Sequence, residues 1–350
     1  MTSRTIRHAA RALRFATLSL LGAGSLLPAI ATSAAAQDAT HVLIVTGLGG
    51  DPGYAERIHK WGAQLFDAAR ERFAVPRDRI VWLAEKTTVD PARVSGASTR
   101  EGIVAAVERI AGQAGANDAV FIVLFGHGSF QSGQSRFSVP GPDPTAEDFA
   151  VMLNRLSPAR VVLVNTASAS GEFLRILSGK NRVIVTATRS GNERNATAFG
   201  GHFAAAFASD VADTDKDGAV SLLEAFTYAR ISTEREYEND KRLPTEHAVL
   251  DDDGDQKGSA DIEPDKGDGR LARVTFIGQA AVTAGVAAPA NASPALRALY
   301  EERRGIERQI DELKAIKDTM DPVRYEAELE RLLVALALKN QEIRRVEGGR

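Results

Sequence analysis

The chain of 350 residues contains no cysteine. This absence excludes disulfide bonds and every mechanism that needs a thiolate nucleophile. An excess of basic residues is also missing, because 43 lysines and arginines are set against 46 aspartates and glutamates and the formal net charge is −3. Such a charge balance argues against nucleic acid as a partner. We therefore expect stability to come from a packed core or a bound metal.

Long apolar runs are scarce, and the one that is present lies near the start of the chain. Four arginines precede the apolar run Phe15–Ala31, and small residues continue to Ala36. This order is typical of a secretory signal peptide. We expect residues 1–36 to be removed, the remaining chain to have no membrane span, and the protein to be periplasmic or secreted in a bacterium.

Residues 37–279 alternate between short runs rich in valine and isoleucine and helical patterns. Near-continuous hydrophobicity is typical of strands covered on both faces, so the alternation predicts an α/β domain with a mostly parallel sheet. The predicted strands are His41–Thr46, Arg79–Ala84, Ala119–Phe125, Arg160–Asn165 and Arg182–Ala187. The predicted helices are Gly53–Phe73, Thr99–Gly112, Thr145–Leu156, Gly171–Leu177 and Thr197–Ser209. The β-like run Arg270–Gly278 is expected to add a last strand.

The C-terminal part predicts a helical hairpin over residues 294–346, joined to the α/β domain by a linker at residues 280–293. Apolar residues recur every three or four positions on both sides of a turn at Asp321-Pro322. Two such stripes pack against each other or against a second copy of the chain. Heptad spacing alone leaves both possibilities open.

Two neighbouring predicted strands end in polar residues. Gly126-His127-Gly128 follows the strand Ala119–Phe125, and Thr166–Gly171 follows the strand Arg160–Asn165. Ligands gather at the carboxyl ends of parallel strands, so we expect His127 and Ser168 on one edge of the sheet. A histidine beside a hydroxyl is the minimal base and nucleophile pair, and Gly128 lets a backbone N–H approach a developing oxyanion.

This order of motifs resembles the legumain family and its caspase-like relatives. In those proteins, a strand ending in His-Gly is followed by a strand ending in Ala-Cys, with Ser-Gly shortly after. Here Ala167-Ser168 and Ser170-Gly171 occupy the second motif. The resemblance implies a caspase-like fold, with His127 as general base, Gly128 as an oxyanion-hole amide and Ser168 at the position of the nucleophilic cysteine.

Serine at the nucleophile position changes the expected function. A hydroxyl is a poorer nucleophile than a thiolate and usually needs a fuller triad. We therefore expect a pseudopeptidase that serves as a protein- or peptide-binding module. Two alternatives stay open: a serine hydrolase or peptidase with a His127–Ser168 dyad, and an α/β-hydrolase-type esterase with His247 as base. Against the esterase, Thr166 and Ser170 replace the glycines of G-x-S-x-G.

A glycine-rich segment, Gly47–Gly53, follows the first predicted strand and suggests a phosphate-binding loop as a further alternative. Its spacing is G-x-G-x-x-x-G, and Pro52 removes an amide donor. The segment therefore misses the dinucleotide-binding fingerprint.

Residues 213–224 match the twelve-residue EF-hand calcium loop, including the glycine at its sixth position. Hard cations prefer such a set of oxygen ligands. The expected ligands are Asp213, Asp215, Asp217, the carbonyl of Ala219, Ser221 and Glu224. The sequence therefore predicts a structural calcium ion, followed by a helix over Leu222–Glu238.

A second acidic run covers residues 251–255. It begins like a calcium loop, but Gln256 stands at the glycine position and Ile262 at the twelfth position. Whether Asp251, Asp253 and Asp255 bind a second metal stays open.

Overall fold

The structure is a computed structural model that describes residues 39–156, 159–215, 219–262, 267–278, 292–317 and 320–348. The predicted signal peptide and nearly all of the predicted linker lie outside the described residues. Across the described segments, no helix combines the length and the apolar character needed to cross a bilayer.

A seven-stranded sheet organises the α/β part of the chain. The strands of this part of the chain, including two that lie outside the large sheet, are β1 (Thr40–Thr46), β2 (Ile80–Ala84), β3 (Gly96–Ala97), β4 (Ala119–Phe125), β5 (Gly128–Gln131), β6 (Gln134–Phe137), β7 (Arg160–Asn165), β8 (Arg182–Thr186) and β9 (Val249–Asp251). The order across the sheet is β3-β2-β1-β4-β7-β8-β9, and β5 pairs with β6 in a separate hairpin. All pairs in the large sheet are parallel except β8 and β9.

The helices begin where the sequence supplies capping side chains. Asp51 accepts from the Tyr54 amide at the first helix, and Thr145 and Ser221 each form a reciprocal capping box with the acid three residues later. The helices are α1 (Pro52–Asp67), α2 (Arg100–Ala111), α3 (Ala146–Asn154), α4 (Gly171–Leu177), α5 (Phe199–Ala208), α6 (Leu222–Asn239), α7 (Arg270–Arg273), α8 (Pro294–Ala315) and α9 (Pro322–Gly348).

Both faces of the sheet are covered by helices, which explains the near-continuous hydrophobicity of the strands. Alternate residues such as Val42 and Phe121 point to the layer of α1, α5 and α6. Their neighbours, such as Leu43 and Ile122, point to the layer of α2, α3 and α4. The predicted α/β class with a mostly parallel sheet is confirmed.

The expected last strand over Arg270–Gly278 is wrong. Residues Arg270–Arg273 are helical, and Phe276 forms only an isolated bridge with Ser221. The cause is Asp252, whose carboxylate accepts the amides of Gly269 and Ala272 at 2.8 Å each and so holds the start of this helix. The sheet is completed instead by β9, which the sequence pattern did not reveal.

The C-terminal hairpin consists of α8 and α9, which pack along each other through the predicted apolar stripes. The seam contains two clusters of side chains: Leu296, Leu299, Tyr300 and Ile343 in one, and Ile306, Ile310, Leu313, Tyr325, Leu329, Leu332 and Leu336 in the other. Arg160 at the start of β7 donates to the carbonyl of Val274 at 2.9 Å and is attracted electrostatically by Glu312 of α8. This contact connects the hairpin to the sheet.

Candidate functional site

β4 and β7 are paired in parallel from Ala119 opposite Arg160 to Leu124 opposite Asn165. Their carboxyl ends therefore meet at one edge of the sheet. The segments that follow them, residues 126–128 and 166–171, are called the rim below. The rim joins Gly128 and Ser168 by hydrogen bonds, and His127 belongs to the same edge.

The hydroxyl of Ser168 is committed to the backbone of Gly128. Its Oγ accepts from the Gly128 amide at 3.2 Å and donates to the Gly128 carbonyl at 3.2 Å. The side chain is buried, because Ser168 is only 2% exposed. The nucleophile candidate and the oxyanion-hole candidate therefore satisfy each other's hydrogen-bonding groups.

Gly128 is required by close packing at this point. A Cβ atom at this position would lie 2.5 Å from the Ser168 carbonyl oxygen and 2.9 Å from the Arg136 carbonyl oxygen. Both are backbone atoms, so neither can move aside cheaply. The glycine expected for oxyanion binding is thus explained by the contact between the two strand ends.

The imidazole of His127 is half-buried and stacks on Tyr54, with ring centroids 4.4 Å apart and an interplanar angle of 25°. Within the described segments its ring nitrogens form no hydrogen bond, and so none reaches Ser168. The sequence pattern brings His127 and Ser168 to one edge of the sheet without linking them as base and nucleophile.

Tyr54 connects the rim to α1. Its hydroxyl donates to the Gly126 carbonyl at 3.3 Å, and its ring meets Trp61 edge-on at 5.9 Å. The Arg57 guanidinium lies 5.1 Å from the centre of the same ring. Burial raises the pKa of the Tyr54 phenol to about 12, so the hydroxyl stays protonated and acts as a donor.

The turn after Ser168 passes through a left-handed backbone conformation at Ala169, where φ is +52°. The Ala169 amide donates to the Glu193 carbonyl at 2.7 Å, and the Ser135 hydroxyl donates to the Ala169 carbonyl at 3.0 Å. Ser168 itself keeps an ordinary negative φ. This differs from the elbow expected of an α/β-hydrolase, in which the nucleophile sits on the strained turn.

Glu193 links this turn to His247. Its carboxylate lies 2.7 Å from His247 Nδ1 and accepts from the amides of Arg189 and His247 at 2.9 and 3.1 Å. A carboxylate on Nδ1 fixes the orientation of the imidazole and leaves Nε2 for another partner. His247, the base of the esterase alternative, is therefore oriented by a residue that no sequence motif indicated.

The glycine-rich segment Gly47–Gly53 is used for packing within the chain. A Cβ on Gly49 would lie 2.4 Å from the Cβ of Ala55, and one on Gly47 would lie 2.3 Å from the Ser138 carbonyl oxygen. The Gly49 amide donates to the Glu85 carboxylate at 3.4 Å. A phosphate would meet that negative charge, so the geometry argues against a phosphate-binding loop.

A cleft of about 600 Å³ opens beside Tyr54, between α1, the start of α5 and the end of α6. Its basic and aromatic lining includes Arg57, Lys60, Trp61, His202, Tyr237 and Arg242. Glu236 also lines it and pairs with His202 at 2.8 Å. Arg57 and Lys60 form no ion pair with any described residue. The cleft therefore presents positive charge next to aromatic surface.

Glu246 supports one wall of this cleft from inside. Its carboxylate accepts from the amides of Ala198 and Phe199, at 2.7 and 3.1 Å, and from the Tyr237 hydroxyl at 3.0 Å. Burial raises the pKa of this carboxyl. Glu246 thus fixes the start of α5 against the end of α6.

Three predicted calcium ligands lie together in the structure. Carboxylate oxygens of Asp213, Asp215 and Glu224 all lie within 4.8 Å of one another. Glu224 faces back over the loop, because its Oε1 accepts from the Thr214 amide at 2.8 Å and its Oε2 from the Ser221 hydroxyl at 2.9 Å. Ala219 and Ser221 are buried beside them, and Asp217 lies outside the described residues. The donor set has the hard oxygen chemistry that calcium requires.

The second acidic run also gathers its carboxylates. Oxygens of Asp251, Asp253 and Asp255 lie within 4.8 Å of one another. Burial raises the pKa values of Asp251 and Asp252 to about 6, although Ser178 donates to Asp251 at 2.9 Å. The cluster thus concentrates negative charge next to β9.

Known proteins provide fold neighbours for this chain but no family. No protein-family model matches it, and no curated protein matches it. The solved protein GSU0716 from Geobacter sulfurreducens is similar at 10% identity with a TM-score of 0.42, over 69% of this chain and 99% of that one. The Drosophila initiator caspase Dronc is similar at 12% identity with a TM-score of 0.39, over 68% and 84%. Both scores are low, so the fold assignment rests on the sheet described above.

Proposed function

We propose that the protein is an exported, caspase-like binding module whose peptidase site is silent. The observation that carries the proposal is the state of Ser168. Its hydroxyl is buried, and both of its hydrogen bonds go to the backbone of Gly128. A hydroxyl held in this way connects the segments that follow β4 and β7 by hydrogen bonds.

The absence of a positioned base supports the same conclusion. A serine nucleophile must lose its proton to a base within hydrogen-bond reach. His127 stacks on Tyr54 and is not hydrogen-bonded to any described residue. Catalysis would therefore require Ser168 to leave Gly128 and His127 to leave its aromatic neighbour.

The ligand that the surface favours is a protein or peptide segment carrying an acidic group. The basic cleft is connected to His127 through the ring of Tyr54. Arg57 and Trp61 line the cleft and contact Tyr54, and Tyr54 stacks on His127. Carboxylates are recognised well by arginine beside aromatic rings. We infer that the acidic group binds in the cleft while the neighbouring chain passes over the rim.

Calcium completes the proposal as a structural ion. Asp213, Asp215 and Glu224 would hold it, together with Asp217, the Ala219 carbonyl and Ser221. The ion would join the loop after α5 to the start of α6. Ordering this junction would stabilise the packing of α5 against α6, whose opposite ends line the cleft.

A second candidate function is a serine hydrolase that uses His247 as base. The specific observation in its favour is Glu193, whose carboxylate lies 2.7 Å from His247 Nδ1 and whose backbone carbonyl accepts from the amide of Ala169 at 2.7 Å. A carboxylate and an imidazole that it orients are two members of a triad, and Ser168, next to Ala169 in the chain, would have to supply the third. This candidate still requires the Ser168 hydroxyl to break its hydrogen bonds to the Gly128 backbone.

The deciding experiment exposes the purified protein to a serine-reactive fluorophosphonate probe and measures covalent labelling by intact mass. The variants are Ser168→Ala, His127→Ala and His247→Ala, with Ser170→Ala as the matched control because that hydroxyl is also buried and bonds to Thr188. We expect no labelling in any of them.

Labelling of the wild type that is lost in Ser168→Ala would overturn the silent-site proposal. Loss in His127→Ala as well would establish the predicted dyad, whereas loss in His247→Ala would establish the second candidate. Labelling that survives Ser168→Ala would arise elsewhere on the protein and would leave the rim silent.

A further inference from the structure

Exposed apolar side chains are concentrated on one helix of the hairpin. Nine large hydrophobic side chains in the described part of the chain are exposed, and five of them lie on α9. Four of these five share one face of the helix: Val323, Leu333, Val334 and Leu338, which are 75, 48, 53 and 61% exposed. Scattered exposed hydrophobics are normal, but a cluster on one helix marks an interaction surface.

This face is distinct from the seam with α8. Leu329, Leu332 and Leu336 pack into the seam, whereas Leu333 and Ala337 point to solvent. The exposed residues form two rows with spacings of four and seven. Glu326, Leu333, Ala337 and Arg344 form one row, and Glu330, Val334, Leu338 and Arg345 form the next. We call these two rows the outer face of α9. Packing against α8 therefore covers one apolar stripe of α9 and leaves a second one exposed to solvent.

Charge on the outer face is divided between its ends. Glu326 and Glu330 precede the apolar centre, and Arg344 and Arg345 follow it. None of the four is ion-paired with a described residue. By contrast, Arg331 and Lys339, outside the two rows, are paired with Glu328 and Glu302. The unpaired charges thus coincide with the exposed apolar stripe.

We propose that the outer face of α9 binds the same face of a second copy of this chain, with the two helices antiparallel. At about 1.5 Å per residue, Glu326 lies about 15 Å before the midpoint between Val334 and Leu338, and Arg345 lies about 14 Å after it. An antiparallel pair centred there sets Glu326 of each copy opposite Arg345 of the other. Val334 of each copy then meets Leu338 of the other at the centre.

A second copy fits this surface because the face is complementary to itself. A two-fold interface uses the same patch on both subunits, so an acidic end and a basic end satisfy each other twice. A parallel pair would place glutamate against glutamate and arginine against arginine, which is repulsive. The charge order therefore selects both the partner and the direction.

The test measures self-association of the protein purified from cells expressing the full chain, by sedimentation velocity over a range of concentrations at low salt. We expect a dimer. Leu338→Glu is expected to raise the dimer Kd on the order of 100-fold, because each dimer buries this side chain twice. The matched control is Leu243→Glu, at a side chain 86% exposed outside the hairpin, which is expected to leave the Kd unchanged.

A charge exchange tests the direction of the pair. Glu326→Arg and Arg345→Glu are each expected to raise the Kd about tenfold, and the double variant is expected to return it to within about threefold of wild type. In a parallel pair like charges would face each other in every variant, so neither single variant would raise the Kd. A monomeric wild type at all concentrations, an effect of Leu338→Glu equal to that of Leu243→Glu, or a failed rescue would each overturn the proposal. Circular dichroism establishes that the variants remain folded.

Discussion

The rim around Ser168 and the acidic loop at residues 213–224 show opposite ways of arranging polar groups. At the rim, the Ser168 hydroxyl is matched to the two polar atoms of the Gly128 backbone inside the protein. In the loop, Asp213, Asp215 and Glu224 bring carboxylate oxygens within 4.8 Å of one another. Like charges at this separation repel unless a cation lies among them.

The difference teaches where ligands of each kind are to be sought. A reactive hydroxyl must be free to approach a base and a substrate, and a hydroxyl with both hydrogen bonds satisfied by backbone is not. Crowded carboxylates, on the other hand, gain most from a bound cation. The rim therefore has the properties of a structural joint, and the loop has the crowded carboxylates that the proposed calcium ion would need.

Removing calcium is the largest effect that we expect, and it tests the loop side of the comparison. Saturating calcium should raise the melting temperature by roughly 5–10 °C, because a ligand at 100 times its Kd adds about 2.7 kcal/mol to the native state. Differential scanning calorimetry with excess calcium or a chelator measures this increment. Glu224→Gln should abolish it while preserving the capping box with Ser221.

The matched control for this prediction is Glu238→Gln, a carboxylate on the same helix but outside the loop. It should retain the full increment. An increment that persists in Glu224→Gln would show that calcium acts elsewhere, and the contrast between loop and rim would then lose its basis.

Removing the Ser168 hydroxyl is the next largest effect and tests the rim side. Ser168→Ala should destabilise the protein by about 1–3 kcal/mol, because it leaves the part-buried amide and carbonyl of Gly128 without their partner. Urea unfolding measures the change, with Ser132→Ala at an exposed loop position as the control. A catalytic serine retained at a cost to stability would give the reverse result, a neutral or stabilising change.

Much of the fold could be predicted from the sequence, because buried parallel strands and capped helices carry strong local signals. β4 and β7 have the bounds expected from their apolar runs, and α4 begins and ends as predicted. The hairpin β5–β6 and strand β9 were not foreseen. Each strand is only three or four residues long, and too short for a periodicity.

The candidate site was predictable only in part, for a different physical reason. The motifs indicated that His127 and Ser168 share one edge of the sheet, since the carboxyl ends of parallel strands lie at a common edge. Their hydrogen-bond partners depend on tertiary contacts, such as Tyr54 on His127 and Glu193 on His247, which join distant parts of the chain. No local spacing encodes these contacts.

The smallest effect that we expect concerns the second acidic cluster, which combines features of both regions. Burial raises the pKa of Asp251 to about 6 from an ordinary value of 3.8, with Asp268 and Asp253 adding repulsion. Between these values the folded protein holds a proton that the unfolded chain has lost, so this group stabilises the fold as pH falls from 7 towards 4.

Asp251→Asn removes this titration. As the pH is lowered over this range, the melting temperature of the variant should therefore rise by less than that of the wild type. The exposed Asp78→Asn serves as control. An equal gain in Asp251→Asn would mean that a bound cation already holds the carboxylate ionised, and the cluster would then belong with the calcium loop rather than with the rim.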